Sequence, residues 1–162
     1  MDIDPLTQLS MALSKPSLSE SGRLKMICLA VTNVIPKANR VSLWQFDESK
    51  TKITCIAMMQ DQTFTTPEGF SLHREDYRDY FDAILRNESI SASDARTHPA
   101  TRCFNTSYFE PENIYSLLDY IFSHDFLPFG IICCERTGTP ARWDDTDVAN
   151  LRRVARITSM FS

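Results

Sequence analysis

The chain has 162 residues, 43% of them hydrophobic, enough for one sizeable core and too few for two ordinary domains, so a single α+β domain over 1–162 is expected. Its 17 basic and 21 acidic residues leave a formal charge of -4, which denies it a broad positive field and argues against nucleic acid as a partner. No apolar run approaches the roughly 20 residues of a membrane span, and MDIDPLTQ has neither the basic nor the apolar region of a signal peptide, so a cytoplasmic location without membrane insertion is expected.

Asp4-Pro5 is a helix start, and Leu6, Leu9 and Leu13 form one stripe until Lys15-Pro16 stops it, which predicts a short incoming helix within residues 1–17 ahead of a core over 18–162. A second helix is predicted from near Ser19 to Pro36, with Leu24, Ile27, Cys28, Val31, Val34 and Ile35 at helical spacing. RVSLWQFD (40–47) and KITCIAMMQ (52–60) read as an antiparallel hairpin about the polar turn Asp47 to Thr51. Asp61 to Leu72, with Pro67 and Gly69, reads as an irregular crossing. Tyr77, Tyr80, Phe81, Ile84 and Leu85 mark a helix with an inward aromatic stripe. A short strand at Ile90 to Ser93 leads into Asp94 to Asn113, which has no sustained period. YSLLDYIF (115–122) and FGIICCE (129–135) read as a second, central hairpin. The last helix is capped by Asp144, with Asp147 three residues on and Trp143 and Val148 at the staple positions.

The five cysteines form an odd set without a C-x-x-C pair, and four lie in apolar runs, as buried free thiols do. His73, His98 and His124 are scattered, so no metal site is expected. The chain has no phosphate-binding Gly-rich loop, no H-E-x-x-H and no G-x-S-x-G, and no catalytic residue is assigned. Glu75, Asp76, Asp79 and Asp82 read as a solvated helix face.

RVSLWQFD, SDARTHPATRCFNTSY (93–108), YSLLD (115–119) and GIICCERTGTPARWDDTD (130–147) together resemble a GAF domain of the kind placed upstream of bacterial diguanylate cyclases and histidine kinases. The likeness runs from Arg40 to the end and departs from the usual pattern at Ile121 and Cys134. It implies a central antiparallel sheet of five to six strands, incoming and outgoing helices on one face, and a pocket on the other beneath the segment after Asp94. It also implies a non-catalytic sensory role, an output domain of cyclase or kinase type, and a homodimer.

Candidate ligand-binding residues follow from their chemistry. Asp119 is a carboxylate inside an apolar strand, a costly placement unless it is partnered or faces a polar cavity. Trp44 and Phe46 share a strand face and suit a pocket floor. Asp94, Arg96 and Arg102 offer either guanidinium donors to an anionic ligand or the pairs that order a long loop. Cys103, beside Arg102, is expected to be accessible and to favour its thiolate. Tyr108 lies in the aromatic segment Phe104 to Phe109, which in a ligand-free interaction module would instead be partner surface. By resemblance, Cys103 also admits two sharper readings, a bilin tether in a photosensor and a thiol of a free methionine sulfoxide reductase.

Overall fold

A computed structural model describes residues 3–162. Its elements run α1 (Pro5–Leu13), α2 (Glu20–Val34), β1 (Arg40–Phe46), β2 (Lys52–Gln60), β3 (Thr63–Thr65), β4 (Ser71–His73), α3 (Arg78–Asn87), β5 (Ser89–Ala92), β6 (Ile114–His124), β7 (Leu127–Thr137) and α4 (Asp145–Met160). The strands form one antiparallel sheet in the order β3-β2-β1-β7-β6-β5, with β4 pairing to β2 beyond β3. The sheet has seven strands, more than the five to six expected, because the stretch read as an irregular crossing contains β3 and β4. These are three-residue strands on either side of Pro67 and Gly69, too short to show an alternating pattern.

The helix ends follow local chemistry. The Asp4 side chain accepts from Thr7 N, Ser19 accepts from Gly22 N, and Asp144 forms a reciprocal capping box with Asp147. The expected strand at 90–93 lies one residue earlier, after Glu88 closes α3 in the left-handed region at φ 68°. The β6–β7 hairpin turns tightly through Asp125 and Phe126, both with positive φ. Asp94 to Asn113 is ordered as a 3₁₀ turn at Arg102–Phe104 followed by a π turn at Asn105–Phe109, neither of which has the 3.6-residue period of an α-helix.

The sheet separates two cores. On one side Leu9, Leu13, Ile27, Val31, Leu151 and Val154 of α1, α2 and α4 pack on Val41, Leu43, Leu118 and Ile132. On the other, Tyr80, Phe81 and Ile84 of α3, together with Phe104, Tyr108 and Phe109, pack on Trp44, Leu117, Ile121 and Ile131. Period-two alternation divides most strands between the cores. In β2 an extra residue intervenes: Leu43 pairs with Ala57, but Trp44 pairs with Cys55, leaving Ile56 as a bulge. Residues 53, 55, 57 and 59 are all buried, yet Ile53 and Cys55 join the α3 side while Ala57 and Met59 join the side of α1, α2 and α4.

Candidate functional site

Three adjoining strands make the floor of the α3-side core. Alternation turns Arg40, Ser42 and Trp44 of β1 toward α3. Antiparallel register sets them beside Glu135, Cys133 and Ile131 of β7, which lie opposite Leu117, Asp119 and Ile121 of β6. Two carboxylates are thereby carried into an apolar layer, Asp119 at 1% exposure and Glu135 at 0%. Tyr80 of α3, with Phe104 and Tyr108 of the 3₁₀ and π turns, forms the roof over a cavity of about 20 Å³. That is room for one water-sized group. Phe70, 41% exposed, lies outside it with its ring 5.6 Å from Trp44 and 6.0 Å from Tyr108. Gly69, at φ +74° with nothing near its Cβ position, precedes it.

The buried polar groups form two partial networks. Arg40 Nη2 donates to Tyr108 Oη at 2.9 Å, and Nη1 donates to Glu112 Oε2 at 3.1 Å. Arg40 Nε lies 3.1 Å from Glu135 Oε1, but without hydrogen-bond alignment. Tyr108 donates a long bond to the same Glu135 oxygen at 3.4 Å. In the second network Tyr80 Oη donates to Asp119 Oδ2 and Trp44 Nε1 donates to Ser42 Oγ. Among the described residues Asp119 Oδ1 and Glu135 Oε2 have no hydrogen-bond partner, although both side chains line the cavity. Burial is the leading influence on both acids. It pushes Asp119 up to about 7 against the pull of the Tyr80 hydroxyl and Cys133 thiol, and raises Glu135 against the pull of Arg40. Larger hollows lie on the exterior; one of ≈ 500 Å³ is walled by His73, Arg74 and Asp82, the last two paired at 2.6 Å across solvent-exposed surface.

No family model matches the chain, and no curated protein matches it in sequence. Solved structures match it in shape. A structure with bound biliverdin IXa in a far-red-absorbing dark state superposes with TM-score 0.73 at 14% identity, over 97% of this chain and 96% of that one. The free methionine-R-sulfoxide reductase of Neisseria meningitidis, in complex with its substrate, gives 0.68 at 14% identity over 96% and 84%. The GAF domain of an Acinetobacter phosphoenolpyruvate-protein phosphotransferase gives 0.71 at 16% identity over 99% and 94%. This chain has the GAF fold.

Within the GAF fold the candidate residues separate. Trp44, Tyr108 and Asp119 meet at the cavity, as a pocket reading requires. Phe46 belongs to the same core, edge-on to Phe81 at 6.4 Å, but does not line the cavity. Asp94, Arg96 and Arg102, expected either to meet an anion or to order the loop, do not line the cavity. Asp94 is exposed, and its carbonyl accepts from Thr97 and His98 to order the loop. Arg96 donates from Nε to the Ile114 carbonyl and lies 4.2 Å over the Tyr115 ring, while Arg102 is exposed on the outside near Asp79 and Arg86. The Cys103 expectation is corrected. Its side chain is half-buried against the α3-side core, and burial raises the thiol instead of favouring thiolate. Phe104 and Phe109, the proposed partner surface, are buried.

The site also contains residues not singled out beforehand: Arg40, Tyr80, Cys133 and Glu135. Glu135 carried the same signal as Asp119, an acid continuing an apolar run, but it stood at the run's end and read as a strand terminus. Its pairing with Arg40 depends on β1–β7 register across 95 residues, which no local pattern encodes. Among the described residues no group of three or more His, Cys, Asp or Glu side chains is placed to hold a metal ion, and no helix is long and apolar enough to cross a membrane.

Proposed function

We propose that the chain is a non-catalytic sensory domain. A small ligand occupies the chamber between Trp44, Asp119 and Glu135, and its arrival is passed through the sheet to α1, α2 and α4, where an output domain of cyclase or kinase type, or a second copy, reads it. The observation that carries this reading is a pair of fully buried carboxylates, each with an unpartnered oxygen, lining an aromatic-walled cavity. A core that only needed filling would hold apolar side chains there at lower cost. The cavity is small, and entry of a metabolite requires Phe70 to swing out on Gly69. The construction supports such a relay: β1, β6 and β7 present alternate residues to the chamber and to the helices. The cysteines support a non-catalytic role, since four are buried and Cys103 is half-buried with its thiol raised. Exposed Met11 on α1 and Met160 on α4 give the helical side apolar surface for a partner.

The test is a thermal-shift screen of small metabolites on the wild-type chain and on Trp44→Leu and Asp119→Asn, followed by amide exchange on any hit. A ligand at a hundred times its Kd adds about 2.7 kcal/mol. The reading requires a stabilising compound whose effect both variants lose and which slows exchange in α4; equal shifts in all three proteins remove it.

A further inference from the structure

Resting on the ligand-binding reading above, we infer that the chamber lined by Trp44 and Tyr108 takes the protonated nitrogen of a small primary amine, held between Asp119 Oδ1 and Glu135 Oε2. The two unpartnered atoms on side chains that line the cavity are both carboxylate oxygens, which only accept hydrogen bonds when ionised, whereas an ammonium group has three donors and no acceptor. Their placement suits one shared donor. Asp119 pairs with Cys133, and Glu135 is two residues further along β7 on the same face, so the two acids are diagonal neighbours about 7–8 Å apart at Cα and closer at Cβ. That spacing lets two carboxylates flank a nitrogen.

Charge points the same way. Arg40 is committed to Glu135, Tyr108 and Glu112 on one side of the chamber. Asp119 has no cation among the described residues: the groups facing it are the Tyr80 hydroxyl from α3 and Cys133 and Glu135 from β7. An ionised Asp119 therefore leaves one buried negative charge unmatched, and a ligand cation restores neutrality. An anion would meet two carboxylates. The 20 Å³ cavity admits a group of ammonium size. The alkyl part of the ligand leaves through the position of Phe70.

The test follows the indole N–H signals of Trp44 and Trp143 by NMR while the whole chain is titrated with methyl- to n-butylammonium chloride, with the matching n-alcohols and sodium chloride as controls. Trp143 sits in the helix-side core and reports that the fold is intact. The expected result is a saturable shift of Trp44 alone, with the ammonium ions alone, weakened at least tenfold in Asp119→Asn and in Glu135→Gln. Binding selects the ionised carboxylate, so apparent affinity rises about tenfold between pH 6 and pH 8 for a group near 7. Alcohols that match the ammonium ions, or ammonium ions that leave Trp44 unmoved because one water satisfies both oxygens, overturn the inference. A neutral or anionic metabolite whose stabilisation depends on Asp119 overturns it while leaving the sensory reading standing; the absence of binding by compounds of every charge removes both.

Discussion

At the scale of single residues, the chemistry lies in acids placed where water does not reach. Asp119 is pushed up to about 7 from the ordinary 3.8, so the folded chain keeps a proton that the unfolded chain releases. The sign follows: between these values the native state binds more protons, and stability falls as pH rises through the window and levels off above it. Urea denaturation of the wild-type chain at pH 5 and pH 8 should show this loss. Asp119→Asn, which keeps an acceptor for Tyr80, should show a smaller one; an unchanged pH dependence would mean the carboxylate is ionised in the fold throughout. Arg40 makes a second case. Arg40→Met leaves Glu135 buried without its cation and should cost about 3–5 kcal/mol at pH 8 by chemical denaturation. The cost should be smaller at pH 5, because Glu135, already raised by burial, can protonate instead. Asp119 was legible in the sequence because a lone acid in YSLLDYIF contradicts its surroundings. Arg40 was not, because an arginine at the first position of a strand ordinarily reaches solvent. Only the π turn that brings Tyr108 and Glu112 over it makes the position an interior one.

At the scale of elements, the helices and long strands were readable because each carries a period and a stop, and the capping box of Asp144 and Asp147 fixes α4 to the residue. The unreadable parts are those without a period of their own: β3, β4, and the 3₁₀ and π turns that supply Phe104 and Tyr108. These segments take their form from the sheet they cover, so their sequence states only composition. That is why the arginines of 94–105 invited an anion-binding reading. Their side chains order the loop or face solvent, and it is the aromatic residues of the same segment that enter the core. Gly130 tests how tightly the elements are fitted. A Cβ there would stand 2.3 Å from the Trp44 carbonyl and 2.4 Å from the Phe122 ring, and backbone is among the contacts. Gly130→Ala should therefore lower stability by at least ~2 kcal/mol and broaden or displace the Trp44 indole signal. A neutral substitution would show that β1 and β7 can separate at that point.

At the scale of the whole molecule, one sheet serves two cores, and each core holds one tryptophan: Trp44 beside the chamber and Trp143 beneath α4. Trp44→Phe and Trp143→Phe each leave a single tryptophan, and their denaturation curves followed by tryptophan emission should coincide, because strands common to both cores make unfolding one cooperative event. Separate midpoints would mean that the chamber side opens while the helical side stays folded, and relay through the sheet would lose its physical basis. The bulge at Ile56 sets a condition of another kind on this architecture, one that concerns chain length. Because β2 changes allegiance there, Lys52 to Gln60 tolerates many exchanges of one apolar residue for another but, Ile56 apart, no loss of one. Removing Ile56 would close the bulge and leave Ala57 and Met59 in their core, whereas removing Thr54 would turn Ile53 away from the α3-side core. The neighbouring turn around Pro67 and Gly69 carries no such phase. Among relatives of this domain, insertions and deletions should accumulate in that turn and stop at the edge of β2.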